Sequence, residues 1–374
     1  MGIDAIFNAH NWEVVPFHFW SLCFFVLGCM IGSFLNVCIY RMPLDLSVVS
    51  PPSHCPHCKY SIPFYLNIPL VTWLWLGGKC KNCRAPISPR YFIVELLTGV
   101  AFLGCWLEFG VHNHPLPTLA LALVYAVFLA GLICATFIDF EHFIIPDEIT
   151  LGGIVAGFAA SFLLPSLHGV HTPGEGMIKS VLGAVIGAGV IYGILRLGKL
   201  LFGRQKLPLP PDTKIIFTET AVCLPDREIA YEEIFYRKSD KIVLQARTVE
   251  LVDRCYRDVT VRLSPTVLRI GDEQFNPADV DCLEAVSSEL VLPREAMGLG
   301  DVKFLGAIGA FIGWQGALFS LMVSSMIGAA VGIVLILLRK REWSSRMPYG
   351  PYIAAAAVLW LFGGKKFFYA LFAM

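Results

Sequence analysis

Eight apolar runs limit what this chain can fold into. They cover residues 18–40, 91–108, 117–138, 149–165, 178–200, 302–313, 315–338 and 349–363. A helix needs about 20 mostly apolar residues to cross the hydrocarbon of a bilayer, and most of these runs approach that length. Inside hydrocarbon every backbone N–H and C=O must be satisfied within the protein, so segments of this kind form helices. Only 16% of the 374 residues are charged, against about 25% in soluble globular chains. The runs therefore predict an all-α polytopic membrane protein with about eight transmembrane helices. The sixth run is short and joins the seventh through Trp314 and Gln315, so it either crosses or dips and returns. The first run has no basic stretch before it and reads as a span, not a cleaved signal. Net charge is zero, which gives nucleic acid no footing as a partner and leaves the lipid bilayer as the evident one.

Loop charge sets the orientation, because basic loops stay on the cytoplasmic side. The loop 41–90 carries Arg41, Lys59, Lys79, Lys81, Arg84 and Arg90, and the loop 339–348 carries Arg339, Lys340, Arg341 and Arg346. The loops 109–116 and 166–177 carry neither Lys nor Arg. Eight crossings then place both basic loops, residues 139–148 and Asp301 inside, with the N-terminus outside. Lys365 and Lys366 run against this scheme, which puts them outside.

Charge also divides the chain. Residues 203–296 hold 30 of its 58 charged residues. Within them KIVLQARTVELV alternates loosely and VTVRLSPTVLRI alternates well, the period of half-buried strands. Pro208, Pro210 and Pro211 mark the entry. The expected organisation is an N-terminal segment with the first membrane helix (1–40), a cytoplasmic four-cysteine domain (41–90), membrane helices two to five (91–202), a β-rich cytoplasmic insertion (203–296), and membrane helices six to eight (297–374).

Cys55-Pro-His-Cys58 is followed by Cys80-Lys-Asn-Cys83. Two such pairs have the spacing of a four-thiolate zinc site. Disulfides or unused thiols are the bland alternative, and disulfides are disfavoured in a cytoplasmic loop. Four sulfurs close the shell, so His54 and His57 are not needed and the zinc would be structural. The other eight cysteines are scattered and read as small core residues.

Two aspartates stand at the lips of apolar runs. Asp139 ends one in FIDFEHFIIPDEIT, and Asp301 opens another in AMGLGDVKF. An acid is a poor helix stop, because the C-terminal end of a helix is already partly negative. Asp147 follows Pro146 at the start of the next run, where an acid is ordinary capping chemistry. Asp139 is therefore the candidate catalytic acid and Asp147 a supporting one, with Asp147 as the rival. Gly298 and Gly300 precede Asp301 and would let another backbone approach its carboxylate; an acid in a helix first turn is the plain alternative. Glu141 and Glu148 read as solvated. Ser33 and Asn36, behind Gly28 and Gly32, read as helix-packing residues. Two carboxylates that meet form an acid/base pair able to activate water.

These motifs, taken in order, resemble those of the bacterial prepilin peptidases, also called type IV leader peptidases, a GxGD-type family of intramembrane aspartic proteases. GSFLNVCIYRMP (32–43) resembles the family's first motif, and the stretch from CPHC to LLTG its cysteine-bearing domain. Asp139 with IPD at 145–147 resembles the first aspartate motif, MGLGD the second, and MPYGPYIAAAA (347–357) the C-terminal signature. The similarity covers about residues 18–200 and 293–360, and the insertion departs from the compact family form. The resemblance implies a bacterial inner-membrane enzyme with Asp139 and Asp301 as its catalytic pair. Such an enzyme would cut the basic leader from type IV prepilins or type II secretion pseudopilins after a glycine, on the cytoplasmic side. It further implies methylation of the new N-terminus with S-adenosylmethionine, and assigns no residue to that step. Three other readings stand beside it. A GxGD protease of other substrates fits the cysteine loop and IPD less well. A non-enzymatic membrane scaffold has no reason to keep both aspartates. A transporter would place its carboxylates near the midplane.

Overall fold

The computed structural model describes residues 17–111, 118–202, 204–235, 240–251, 253–280, 282–293, 298–338 and 347–371. The basic residues expected at 339–346 lie outside these. Contacts divide the chain into two compact units, residues 1–191 with 299–374, and residues 192–298.

The first unit is helical. In chain order it holds α1 (Phe17–Arg41), the short α2 (Val71–Trp75), α3 (Pro89–Cys105), α4 (Thr118–His142), α5 (Asp147–Leu163) and most of α6 (Pro173–Phe202). After the second unit come α8 (Leu299–Leu337), α9 (Gly350–Leu359) and α10 (Lys365–Leu371), with α7 reserved for Tyr231–Ile234 in the second unit. Each apolar run is thus helical. By length and composition, six helices among the described residues can cross a membrane, where eight spans are expected from the sequence. The difference has two sources. α5 has 17 residues, just short of a full span. The runs 302–313 and 315–338 form one element of 39 residues, interrupted at Gly313 (φ 75°, ψ 173°). A straight helix of that length would measure about 58 Å, nearly twice the hydrocarbon core.

Small residues let these helices meet. A Cβ on Gly183 of α6 would lie 2.1 Å from the carbonyl oxygen of Gly309 on α8, and one on Gly309 would lie 2.1 Å from that of Gly183. Backbone therefore touches backbone at this crossing, as small residues permit in membrane helices. α1 and α3 meet in the same manner, since a Cβ on Gly28 would lie 2.7 Å from the Thr98 carbonyl oxygen, and Asn36 Nδ2 adds a bond to the Tyr91 carbonyl at 3.1 Å, which fits the packing role expected of it.

The second unit is an eight-stranded antiparallel sheet in the order β3-β2-β1-β8-β4-β5-β6-β7. Its strands are β1 (Arg204–Phe217), β2 (Ala221–Cys223), β3 (Glu228–Ala230), β4 (Ile242–Glu250), β5 (Cys255–Leu263), β6 (Leu268–Ile270), β7 (Glu273–Phe275) and β8 (Leu283–Pro293). The chain is therefore not all-α: a sheet of this size is a fold in its own right. Ile215, Leu244, Val261, Ile270 and Leu290 are buried in its core, as period-two alternation requires. Pro210 and Pro211, expected at the entry, lie inside β1 where the register with β8 shifts between Pro208 and Thr213. Proline has no N–H for the ladder, so the strand bulges there.

Candidate active site and four-cysteine centre

Asp139 lies three residues from the end of α4 and is buried (5% exposed). Phe143 closes that helix in a left-handed conformation (φ 55°), its N–H bonded to the Asp139 carbonyl at 3.0 Å. The chain then runs through Ile145 to Pro146 and into α5. Asp301 is the third residue of α8 and is also buried (9%).

Three contacts draw these motifs together. The N–H of Gly350, the first residue of α9, donates to Asp139 Oδ2 at 2.9 Å. The Cδ1 of Ile145 lies 3.0 Å from where a Gly350 Cβ would stand, and its Cβ lies 3.5 Å from where a Gly300 Cβ would stand. Ile145 thus touches Gly350, which holds Asp139, and Gly300, which precedes Asp301. The carboxylate motifs of α4 and α8 share one neighbourhood, with the N-terminus of α9 as its third wall.

Asp147 is placed differently. It is exposed at the first position of α5, and Lys303 Nζ reaches its two oxygens at 2.6 and 2.9 Å. That ion pair ties the start of α5 to the second turn of α8. Gly298 and Gly300 flank the entry to α8. Glu141, expected to be solvated, forms an ion pair with Arg90 at the start of α3. A cavity of about 360 Å³ is lined by Phe140, Phe143, Val331, Leu335, Met347, Pro348 and Tyr352, and neither aspartate lines it.

The sequence reading assigned no role to Gly350, Ile145 or Lys303. A glycine before Pro351 at a helix start was the one visible sign of Gly350, since its contribution is a backbone N–H.

The cysteine loop is built from two matching knuckles. In the first, Cys55 N–H donates to the Tyr60 carbonyl and Lys59 N–H to the Cys55 carbonyl, with Lys59 left-handed (φ 56°). In the second, Cys80 N–H donates to the Ala85 carbonyl and Arg84 N–H to the Cys80 carbonyl, with Arg84 left-handed (φ 61°). The four Sγ atoms all lie within 4.8 Å of one another, a cluster able to hold a metal ion. Hydrogen bonding, first from the Tyr60 backbone, pulls the Cys58 thiol down to about 6. A buried acid missed from the sequence anchors the loop: Glu95 of α3 accepts the N–H of Leu70 at 2.7 Å. Leu70 has a positive φ (62°) and opens α2.

Apolar helices long enough to span, a buried acidic neighbourhood and a four-thiolate loop define a multi-pass membrane protein with a polar site inside its helical unit. The chain belongs to the type IV leader peptidase family, whose model matches residues 126–206 and 282–333. The model of the bacterial peptidase A24 N-terminal domain matches residues 26–109. A prepilin leader peptidase/N-methyltransferase of Aeromonas hydrophila is 29% identical over 373 residues, covering 92% of each chain. Proteins of the same description from Myxococcus xanthus and Dichelobacter nodosus are 46% identical over 140 residues (37% of this chain, 40% of the relative) and 37% identical over 211 residues (49% and 68%). No solved structure matches the chain.

Proposed function

We propose that this chain is a prepilin leader peptidase and N-methyltransferase, with Asp139 and Asp301 as the catalytic pair of its peptidase site. The observation that carries the reading is the shared neighbourhood of the two buried aspartates, with Asp139 fixed by the Gly350 N–H. Two carboxyls brought close do not both ionise readily. One takes a proton from a water, which attacks the scissile carbonyl. The other, protonated, hydrogen-bonds to the carbonyl oxygen and stabilises the developing oxyanion. Collapse of the tetrahedral intermediate returns a proton to the leaving amine and frees the leader. Which aspartate begins protonated is a property of the pair. The apolar cavity at Phe140 and Phe143, which follow Asp139 in the chain, suits the start of the substrate's hydrophobic helix, and the basic loop 41–90 favours a cytoplasmic site in a bacterial inner membrane.

The four cysteines fit zinc. Tetrahedral Zn–S bonds of about 2.3 Å separate the sulfurs by about 3.8 Å, and Cys55–Cys83 and Cys58–Cys80 are each 3.9 Å apart. Four thiolates leave no open position, so the ion would staple the loop. S-adenosylmethionine is the methyl donor class for the second step. The test is cleavage of a synthetic prepilin by purified protein in lipid. Asp139→Asn and Asp301→Asn are each expected to abolish it while the protein still inserts. Wild-type cleavage by either folded variant would remove that residue from the pair.

A further inference from the structure

A side chain at Gly350 would push the Asp139 carboxylate aside. A Cβ there would stand 2.7 Å from Asp139 Oδ2, the same oxygen that receives the Gly350 N–H, and 3.0 Å from Ile145 Cδ1. The residue before it is tied down separately. Tyr349 Oη lies 2.8 Å from Ser324 Oγ and 2.9 Å from Ser325 Oγ, both on α8. Each serine hydroxyl donates to the Leu321 carbonyl, which leaves the serine lone pairs to the single Tyr349 proton. A straight helix would hold Gly300 and Ser324 about 36 Å apart. Instead each reaches Gly350 through one side chain, Ile145 or Tyr349, because α8 folds back at Gly313.

We infer that Tyr349, Ser324 and Ser325 are positioning residues for peptide cleavage: they hold Gly350 so that its N–H orients the Asp139 carboxylate. One element, α8, then carries Asp301 at its start and fixes Asp139 from its second arm. The inference rests on the proposed aspartate pair and extends it to residues that touch no substrate.

The test uses the full chain in lipid, with two assays: kcat and KM for cleavage of a synthetic prepilin, and methylation of an already cleaved peptide. Asp139→Asn is measured alongside. Gly350→Ala is expected to lower cleavage kcat on the order of 100-fold, as a misplacement near 1 Å does. Tyr349→Phe, and Ser324→Ala with Ser325→Ala, are each expected to lower kcat about fivefold. KM and methylation stay at wild-type values. The triple variant is no slower than Tyr349→Phe, because both changes remove one contact. Wild-type kcat in Tyr349→Phe, or losses that multiply in the triple variant, would overturn the inference. If Gly350→Ala loses methylation as well, it is misfolded and Tyr349→Phe decides. Wild-type cleavage by Asp139→Asn would instead bring down the aspartate pair beneath it.

Discussion

Asp139 occupies a position where the dipole of α4 disfavours negative charge, and the Gly350 N–H at the positive end of α9 supplies what that position lacks. The acid was legible because an aspartate at the end of an apolar run has no good structural use. Its partner was not, since a backbone N–H leaves no mark beyond the glycine that carries it. Asp147 shows the reverse case. Its IPD context made it a rival, yet it is exposed and paired with Lys303, and a pair of that kind contributes about 0–1 kcal/mol. Asp147→Asn is therefore expected to leave cleavage within about threefold of wild type and to lower stability by less than about 1 kcal/mol. A cleavage assay and a thermal melt in detergent check this. Complete loss of cleavage in a folded Asp147→Asn protein would restore the rivalry with Asp139.

At the scale of elements, hydropathy found every long helix but divided α8 by the wrong criterion. Trp314 and Gln315 read as the junction of two runs, whereas the interruption is one residue wide and sits at Gly313, whose φ of 75° suits glycine. The cysteine loop was fully legible, because metal-ligand spacing is local. Its tether was not: Glu95 lies in an apolar run, and its partner Leu70 is 25 residues away. The loop also carries a pH dependence whose sign is fixed. Without metal the cluster divides its protons unevenly: Cys58 is pulled down to about 6 and its neighbour Cys83 is pushed up to about 11, against 9.0 for an ordinary thiol. Cys58 contributes stability present above about 9 and lost as pH falls through about 6, while Cys83 contributes stability present below about 9 and lost as pH rises through about 11. A metal takes all four groups as thiolates, so protons compete with it and its binding weakens as pH falls. Zinc bound to purified protein is expected to be retained at pH 7.5 and released on titration below about 6. Exposure of the 55–83 segment to protease should accompany release while the membrane helices stay inserted. Metal content by mass spectrometry and limited proteolysis across that range check both; retention of zinc at pH 5 would contradict the prediction.

At the scale of the whole molecule, two units with separate cores share one chain, and the crossing from one to the other is written in charge density. The β period inside 203–296 was legible where it was regular. β5 places Val261 and Leu263 inward, whereas β4 changes phase between Ala246 and Val249, which is why KIVLQARTVELV alternated only loosely. Strand order was out of reach, since β1 and β8 are about 80 residues apart in sequence and pair side by side. That pairing has a practical consequence. The unit is entered and left by adjacent antiparallel strands, with Arg204 opposite Pro293, so the ends of the insertion are separated by about 5 Å. A linker of a few glycines can therefore replace residues 205–292 without moving what precedes or follows it. None of the residues placed at the aspartate site or the cysteine loop lies in the deleted stretch. The shortened chain is expected to insert, and to cut a synthetic prepilin within about tenfold of the wild-type rate, an allowance for the positional sensitivity of catalytic groups. The excised segment 204–293, which buries its own apolar core, is expected to fold alone in solution with a β-type circular dichroism spectrum and a cooperative melt. If the shortened chain inserts and still methylates a cleaved peptide but no longer cuts, the sheet takes part in presenting the substrate and the two units are coupled in function.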